Sequence, residues 1–147
     1  MTTDTPPEVR PALWNPNAAG LWSLLFTPAF GAYLHARNAD SLGRTEEAKT
    51  NRIWFYASLG YLVFVLISEF LPELPEAVYR GAAVGLLVGW WVSTGKGQAQ
   101  YVKDVWQKNY SRKSWTKPLL IATNSLIGYV VLIVAIAVAA DFYLGIE

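Results

Sequence analysis

Residues 119–140 read LLIATNSLIGYVVLIVAIAVAA, a run of 22 residues without a charge. As a helix it would reach about 33 Å, enough for a hydrocarbon layer about 30 Å thick. Lipid offers a backbone no hydrogen-bond partners, so a chain that enters it must satisfy its own, and a helix does. This stretch sets the expectation for the whole chain: an all-α membrane protein.

Three further apolar blocks precede it. Residues 53–71 carry a charge only at Glu69, near the end. Residues 78–94 carry one only at Arg80, near the start. Residues 18–34 are free of charge, but the block has only 17 residues and Pro28 interrupts it. Burying four such helices all round in a soluble domain would need more covering chain than 147 residues supply. The expectation is one membrane domain over residues 1–147, built as a four-helix transmembrane bundle. Pro28 removes a backbone donor and disfavours helix at Thr27. The first helix is therefore short and either Pro-kinked or re-entrant. A kinked crossing gives four spans; a re-entrant hairpin leaves three.

Charge supplies the orientation. Arg37, Arg44, Lys49 and Arg52 lie between the first two blocks; Lys96, Lys103, Lys108, Arg112, Lys113 and Lys117 lie between the last two. The link 72–77 holds only Glu73 and Glu76. The positive-inside bias puts both basic loops in the cytoplasm, and four crossings would then put both termini outside. Trp54, Phe55, Trp90, Trp91 and Trp115 would mark the inner interface; Trp22, Phe70, Tyr79, Phe142 and Tyr143 would mark the outer one. The polar start, Met1 to Arg10, lacks the basic region and apolar core of a cleavable signal.

Between the third and fourth blocks, residues 98–110 form an amphipathic pattern. Tyr101, Val102, Val105 and Trp106 share a helical face, with Lys103, Asp104 and Lys108 opposite. That pattern suits a cytoplasmic helix lying on the membrane, anchoring to anionic lipid or docking a partner. Thr45 is placed to cap a helix whose first turn holds Glu46 and Glu47.

The most specific local pattern is Gly81, Gly85 and Gly89, continued by Ser93 and Gly97 at four-residue steps. On a helix it makes a glycine-zipper groove, which in lipid serves close backbone packing. Its occupant is another span of the same chain, a second copy or a foreign transmembrane helix. Asn124 is costly facing lipid, so it should point into the bundle. Glu69 and Arg80 flank the outer hairpin and could pair there, with Glu69 near enough to a helix end to reach water. His35, the single histidine, closes the first block on the inner side, where solvation is its ordinary state.

No catalytic constellation emerges. HExxH, GxSxG, P-loop and dinucleotide patterns are absent from the sequence, and so is cysteine. No metal, cofactor or catalytic residue is expected, and a net charge of +1 gives no call for nucleic acid.

Asn15-Pro-Asn-Ala-Ala, Phe26-Thr-Pro-Ala-Phe-Gly31 and residues 38–43 resemble the opening of a family of small multi-span inner-membrane proteins of Gram-negative bacteria. Residues 98–120, with Tyr101-Val-Lys and Ser114-Trp-Thr-Lys-Pro118, resemble the segment before that family's last span. The family has no assigned activity. The resemblance implies membrane topology and bacterial origin, and transfers no site residues. The expected function is non-enzymatic: interaction within the bilayer, as an immunity protein against a membrane-active toxin or an accessory subunit of a membrane complex. The alternative is a small oligomeric transporter or channel, against which stands the want of an acid in mid-span.

Overall fold

The computed structural model describes residues 10–68, 70 and 75–144. In chain order they form β1 (Ala12–Leu13), α1 (Pro16–Ser41), α2 (Thr45–Ser68), α3 (Glu76–Trp90), a π-helical turn (Trp91–Gly95), α4 (Lys96–Tyr101), a second π turn (Val102–Trp106), β2 (Ser111–Arg112) and α5 (Thr116–Leu144). The fold is helical throughout, apart from one two-residue parallel pairing of β1 with β2.

α1 decides the architecture. Asn15 caps it, its side-chain oxygen accepting from the amides of Asn17 and Ala18, with Pro16 at the first helical position. At Phe26 (φ −101°, ψ 15°) and Thr27 (φ 73°, ψ 161°) the helix breaks. Pro28 bars Thr27 from the helical region, and Thr27 takes a conformation nearly restricted to glycine. The chain then doubles back. In an unbroken helix Pro16 and His35 would stand about 28 Å apart along the axis. Instead His35 Nε2 lies 3.1 Å from the Pro16 carbonyl. Asn38 likewise reaches Trp14, and a Cβ on Gly31 would overlap Ser23. These partners nest around the break, so α1 is an antiparallel helical hairpin. Its two ends lie together, which fits the re-entrant reading of residues 18–34 rather than the kinked crossing. The N-terminal segment consequently sits beside the loop before α5: Ser111 N donates to Pro11 O and Lys113 N to Leu13 O.

α1 ends in a turn closed by Gly43, whose φ of +69° is a glycine conformation. α2 starts at Thr45 with Glu46 and Glu47 in its first turn, where the helix dipole favours acids. From α3 to Trp106 the helical path is continuous through both π turns, with right-handed helical angles at each junction. It stops at Gln107, whose φ is +51°. The expected interfacial helix over residues 98–110 is therefore not a separate element; it prolongs α3.

Two helices among the described residues are long and apolar enough to cross a membrane: Thr45–Ser68, mean hydropathy 1.3, and Thr116–Phe142, mean hydropathy 2.4. Only 11% and 0% of their most apolar windows are buried, so neither is the core helix of a soluble fold. α3 as a regular helix has 15 residues. Many large apolar side chains face outward while several polar ones lie inside. Leu21 and Leu24 are 70% exposed, while His35, Asn38, Asn51 and Gln98 are fully buried.

Candidate functional site

The glycine series on α3 divides in two. At Gly81 and Gly85 an added Cβ would meet nothing within 4 Å. At Gly89 it would come within 2.8 Å of the Trp54 ring of α2. One step of the series thus packs within the chain, and two steps form an open, narrow face. Val84 and Val88 flank that face, both more than half exposed. Ser93 does not continue it. The π turn inserts an extra residue into the helical repeat and breaks the four-residue register after Gly89. Ser93 is exposed, and its hydroxyl donates to the Trp90 carbonyl.

The same π turn does something the sequence reading missed. It places Trp90 and Trp91 against the hairpin. Trp90 is fully buried and Trp91 half-buried, so Trp90 is a core residue rather than an interfacial one. Cβ atoms on Gly20 and Gly95 would collide with the Trp91 ring, and one on Gly31 with Trp90. His35 meets both rings edge-on, at centroid distances of 5.1 and 6.3 Å. It is not solvated as expected. Burial pulls its pKa down to about 4, against a smaller opposing effect of the Pro16 carbonyl. His35 follows the apolar stretch 18–34, and it is neutral at ordinary pH.

Around it runs a buried amide network. Asn51 Oδ1 accepts from Trp90 Nε1 (2.9 Å) and Thr94 Oγ1 (3.1 Å), and its Nδ2 donates to the Glu47 carbonyl. Gln98 Nε2 donates to His35 O (2.9 Å) and to the Glu47 carboxylate (2.6 Å). Asn38 holds Trp14 by both backbone groups, accepting from its N–H at 3.0 Å and donating to its carbonyl at 2.7 Å. Glu47 also pairs with Arg44 at 2.7 Å, and the Arg44 guanidinium lies 4.2 Å from the centre of the Tyr101 ring. The network ties the N-terminal segment, the hairpin, α2 and α4 into one polar joint. A faint sequence signal existed: Glu47 with Asn51 and Thr94 with Gln98 each pair polar residues four apart.

The remaining expected site residues are dispersed. Asn124 is exposed, and its amide donates to the Leu120 carbonyl one turn back, correcting the expectation that it points inward. α5 stands largely apart from the other helices, tied to α2 by the bond from Tyr129 to the Leu62 carbonyl, so the amide finds its partner in its own helix. Arg80 pairs with Glu76 at 2.6 Å on an exposed helix face. Glu69 and the first half of the link 72–77, with Glu73, lie outside the described residues. Tyr101 is half-buried under Arg44, Val105 is 56% exposed and Trp106 is half-buried, so the three do not share one free face.

An apolar groove of about 220 Å³ opens beneath the hairpin tip, with Ser23, Thr27, Ser58 and Tyr61 among its lining residues. A second, of about 460 Å³, runs between the hairpin and α3 beside Trp90 and Trp91. Among the described residues no three His, Cys, Asp or Glu side chains gather to hold a metal. The chain matches no protein-family model, no curated protein and no solved structure.

Proposed function

We propose that the chain is a small multi-pass protein of the bacterial inner membrane that works by binding another membrane-embedded protein. The observation that carries this is the open glycine face. Gly81 and Gly85 leave the α3 backbone bare on a side where none of the described residues packs. In lipid such a bare strip favours close approach of a second helix, because packing replaces the missing hydrophobic drive. α5, with Gly128 equally open, presents a second unfilled surface. Immunity against a membrane-active toxin and an accessory role in a larger complex are the two concrete forms.

The proposed topology has three crossings, by α2, by the path of α3 and by α5, with the α1 hairpin entering and leaving on one side. Ten basic residues lie in or beside the joints at that end, so the positive-inside bias puts it in the cytoplasm. The N-terminal segment is then cytoplasmic and the C-terminal end external. This changes the earlier placement of both termini outside, because the hairpin returns the chain to its starting side. The resemblance to inner-membrane proteins of Gram-negative bacteria agrees with this location.

Gly85→Leu should abolish co-purification of the partner while leaving membrane insertion intact. Unchanged co-purification by a correctly inserted variant would count against the face as the interface. The transporter alternative draws on the groove beneath the hairpin tip, an apolar cleft with Ser23, Thr27, Ser58 and Tyr61 among its lining residues. Solute flux through vesicles holding the purified protein would favour it.

A further inference from the structure

The polar end of the molecule carries two neighbouring cations with no ion-pair partner among the described residues. Among the described residues the ion pairs are Arg44 with Glu47, Lys49 with Glu46, Arg52 with Asp40 and Arg80 with Glu76. None includes Arg37 or Lys113. The fold brings Lys113 to the helical turn that follows Arg37. Ser41 lies one turn beyond Arg37, its hydroxyl donating to the Arg37 carbonyl, and Lys113 Nζ donates to that same hydroxyl at 3.2 Å. Beneath, the Lys113 ammonium lies 4.4 Å from the centre of the Trp14 ring. The Trp14 indole is itself fixed, donating to the Ser114 carbonyl at 2.9 Å. Partial burial lowers the pKa of Lys113, and the positive charge of Arg37 lowers it further. Two like charges within one helical turn of each other, one of them partly desolvated, are a place where an anion is favoured.

The surroundings indicate which anion. One turn before Arg37 on the same helix face, Tyr33 is 47% exposed and rests against Phe55 at 5.8 Å. Aromatic below and cation above is the order of glycerol and phosphate at a membrane surface. α5 begins just after Lys113, and its first turn contains Lys117 and no acid, so its positive dipole end is not neutralised there.

We propose that Lys113, seated on Ser41, and Arg37, one helical turn before it, bind the phosphate of an anionic phospholipid headgroup. This rests on the membrane placement above. Each cation near an anionic surface contributes enough that the pair gives about a tenfold or greater preference for anionic over zwitterionic lipid.

The test uses the full chain purified in neutral detergent and titrated with short-chain phosphatidylglycerol, phosphatidylcholine or inorganic phosphate, with bound lipid counted by native mass spectrometry. The wild type should retain phosphatidylglycerol over phosphatidylcholine by that factor. The double variant Arg37→Gln/Lys113→Gln should bind the two lipids within about twofold of each other. The comparison variant Lys49→Gln/Arg52→Gln, whose cations already pair with Glu46 and Asp40, should keep the preference. An unchanged preference in the first variant, an equal loss in the second, or displacement of the lipid by millimolar inorganic phosphate would overturn the proposal. Carbonate extraction of cell membranes separates the two levels. Release of the wild type by carbonate would sink the membrane placement itself, whereas retention with no lipid preference sinks only the headgroup site.

Discussion

Thr27 and His35 carry the strain and the charge penalty that the hairpin imposes. Thr27 holds a φ of +73° that a β-branched residue adopts only when its surroundings force it. Thr27→Gly removes that conflict, and unfolding in detergent micelles should show a gain of about 1 kcal/mol. A loss of similar size would mean that the Thr27 side chain contributes more than its backbone costs. His35 ties stability to pH. Its folded pKa of about 4 lies below the ordinary value of 6.5, so the unfolded chain takes up the proton first. Stability is intact above pH 6.5 and falls as pH drops towards 4, by as much as about 3 kcal/mol from this group. The slope between those limits should flatten in His35→Gln, whatever that variant's stability at pH 7; an unchanged slope would assign the acid sensitivity elsewhere. Asn51 gives a third expectation. Asn51→Ala strips the acceptor from Trp90 Nε1 and Thr94 Oγ1, and leaving buried donors unpaired costs about 1–3 kcal/mol.

Between elements, two π turns and one broken helix replace the straight rods that the apolar blocks imply. Block length, charge placement and the first-turn acids of α2 were legible, because they depend on composition along the chain. The hairpin was legible only as one of two outcomes of Pro28. What selects it lies far away in sequence: Trp14 meeting Asn38, Pro16 meeting His35 and two tryptophans seated over Gly20 and Gly31. The glycine series was legible as a groove, but not where it stops, since a π turn leaves no periodic trace beforehand. Two classes of glycine follow, and they should behave oppositely. Gly31→Val forces a side chain into Trp90 and Ser23, and should lower stability by roughly 1–3 kcal/mol or undock the hairpin. Gly81→Ala meets open space and should change the stability of the isolated chain by less than about 0.5 kcal/mol. Equal losses at both positions would show that the open face is packed within the chain after all.

For the whole molecule, the outward-facing apolar side chains and the buried polar joint connect these pieces. Neutral amides, one histidine and one carboxylate form the joint at one end, while leucine and valine side chains face outward. Such a chain has most to gain in a solvent that welcomes apolar surface and excludes unpaired polar groups. In the proposed topology the fold-back of α1 sets the parity of crossings: three with a hairpin, four without. Because the chain has no cysteine, single cysteines report side without interference. The decisive measurement is labelling of Arg10→Cys, Asn109→Cys and Asp141→Cys in intact cells and lysates with a membrane-impermeant maleimide. The hairpin fold predicts that Asp141→Cys reacts in intact cells, while Arg10→Cys and Asn109→Cys react only after lysis. Reaction of Arg10→Cys in intact cells alongside Asp141→Cys would contradict it, since α1 would then cross the membrane.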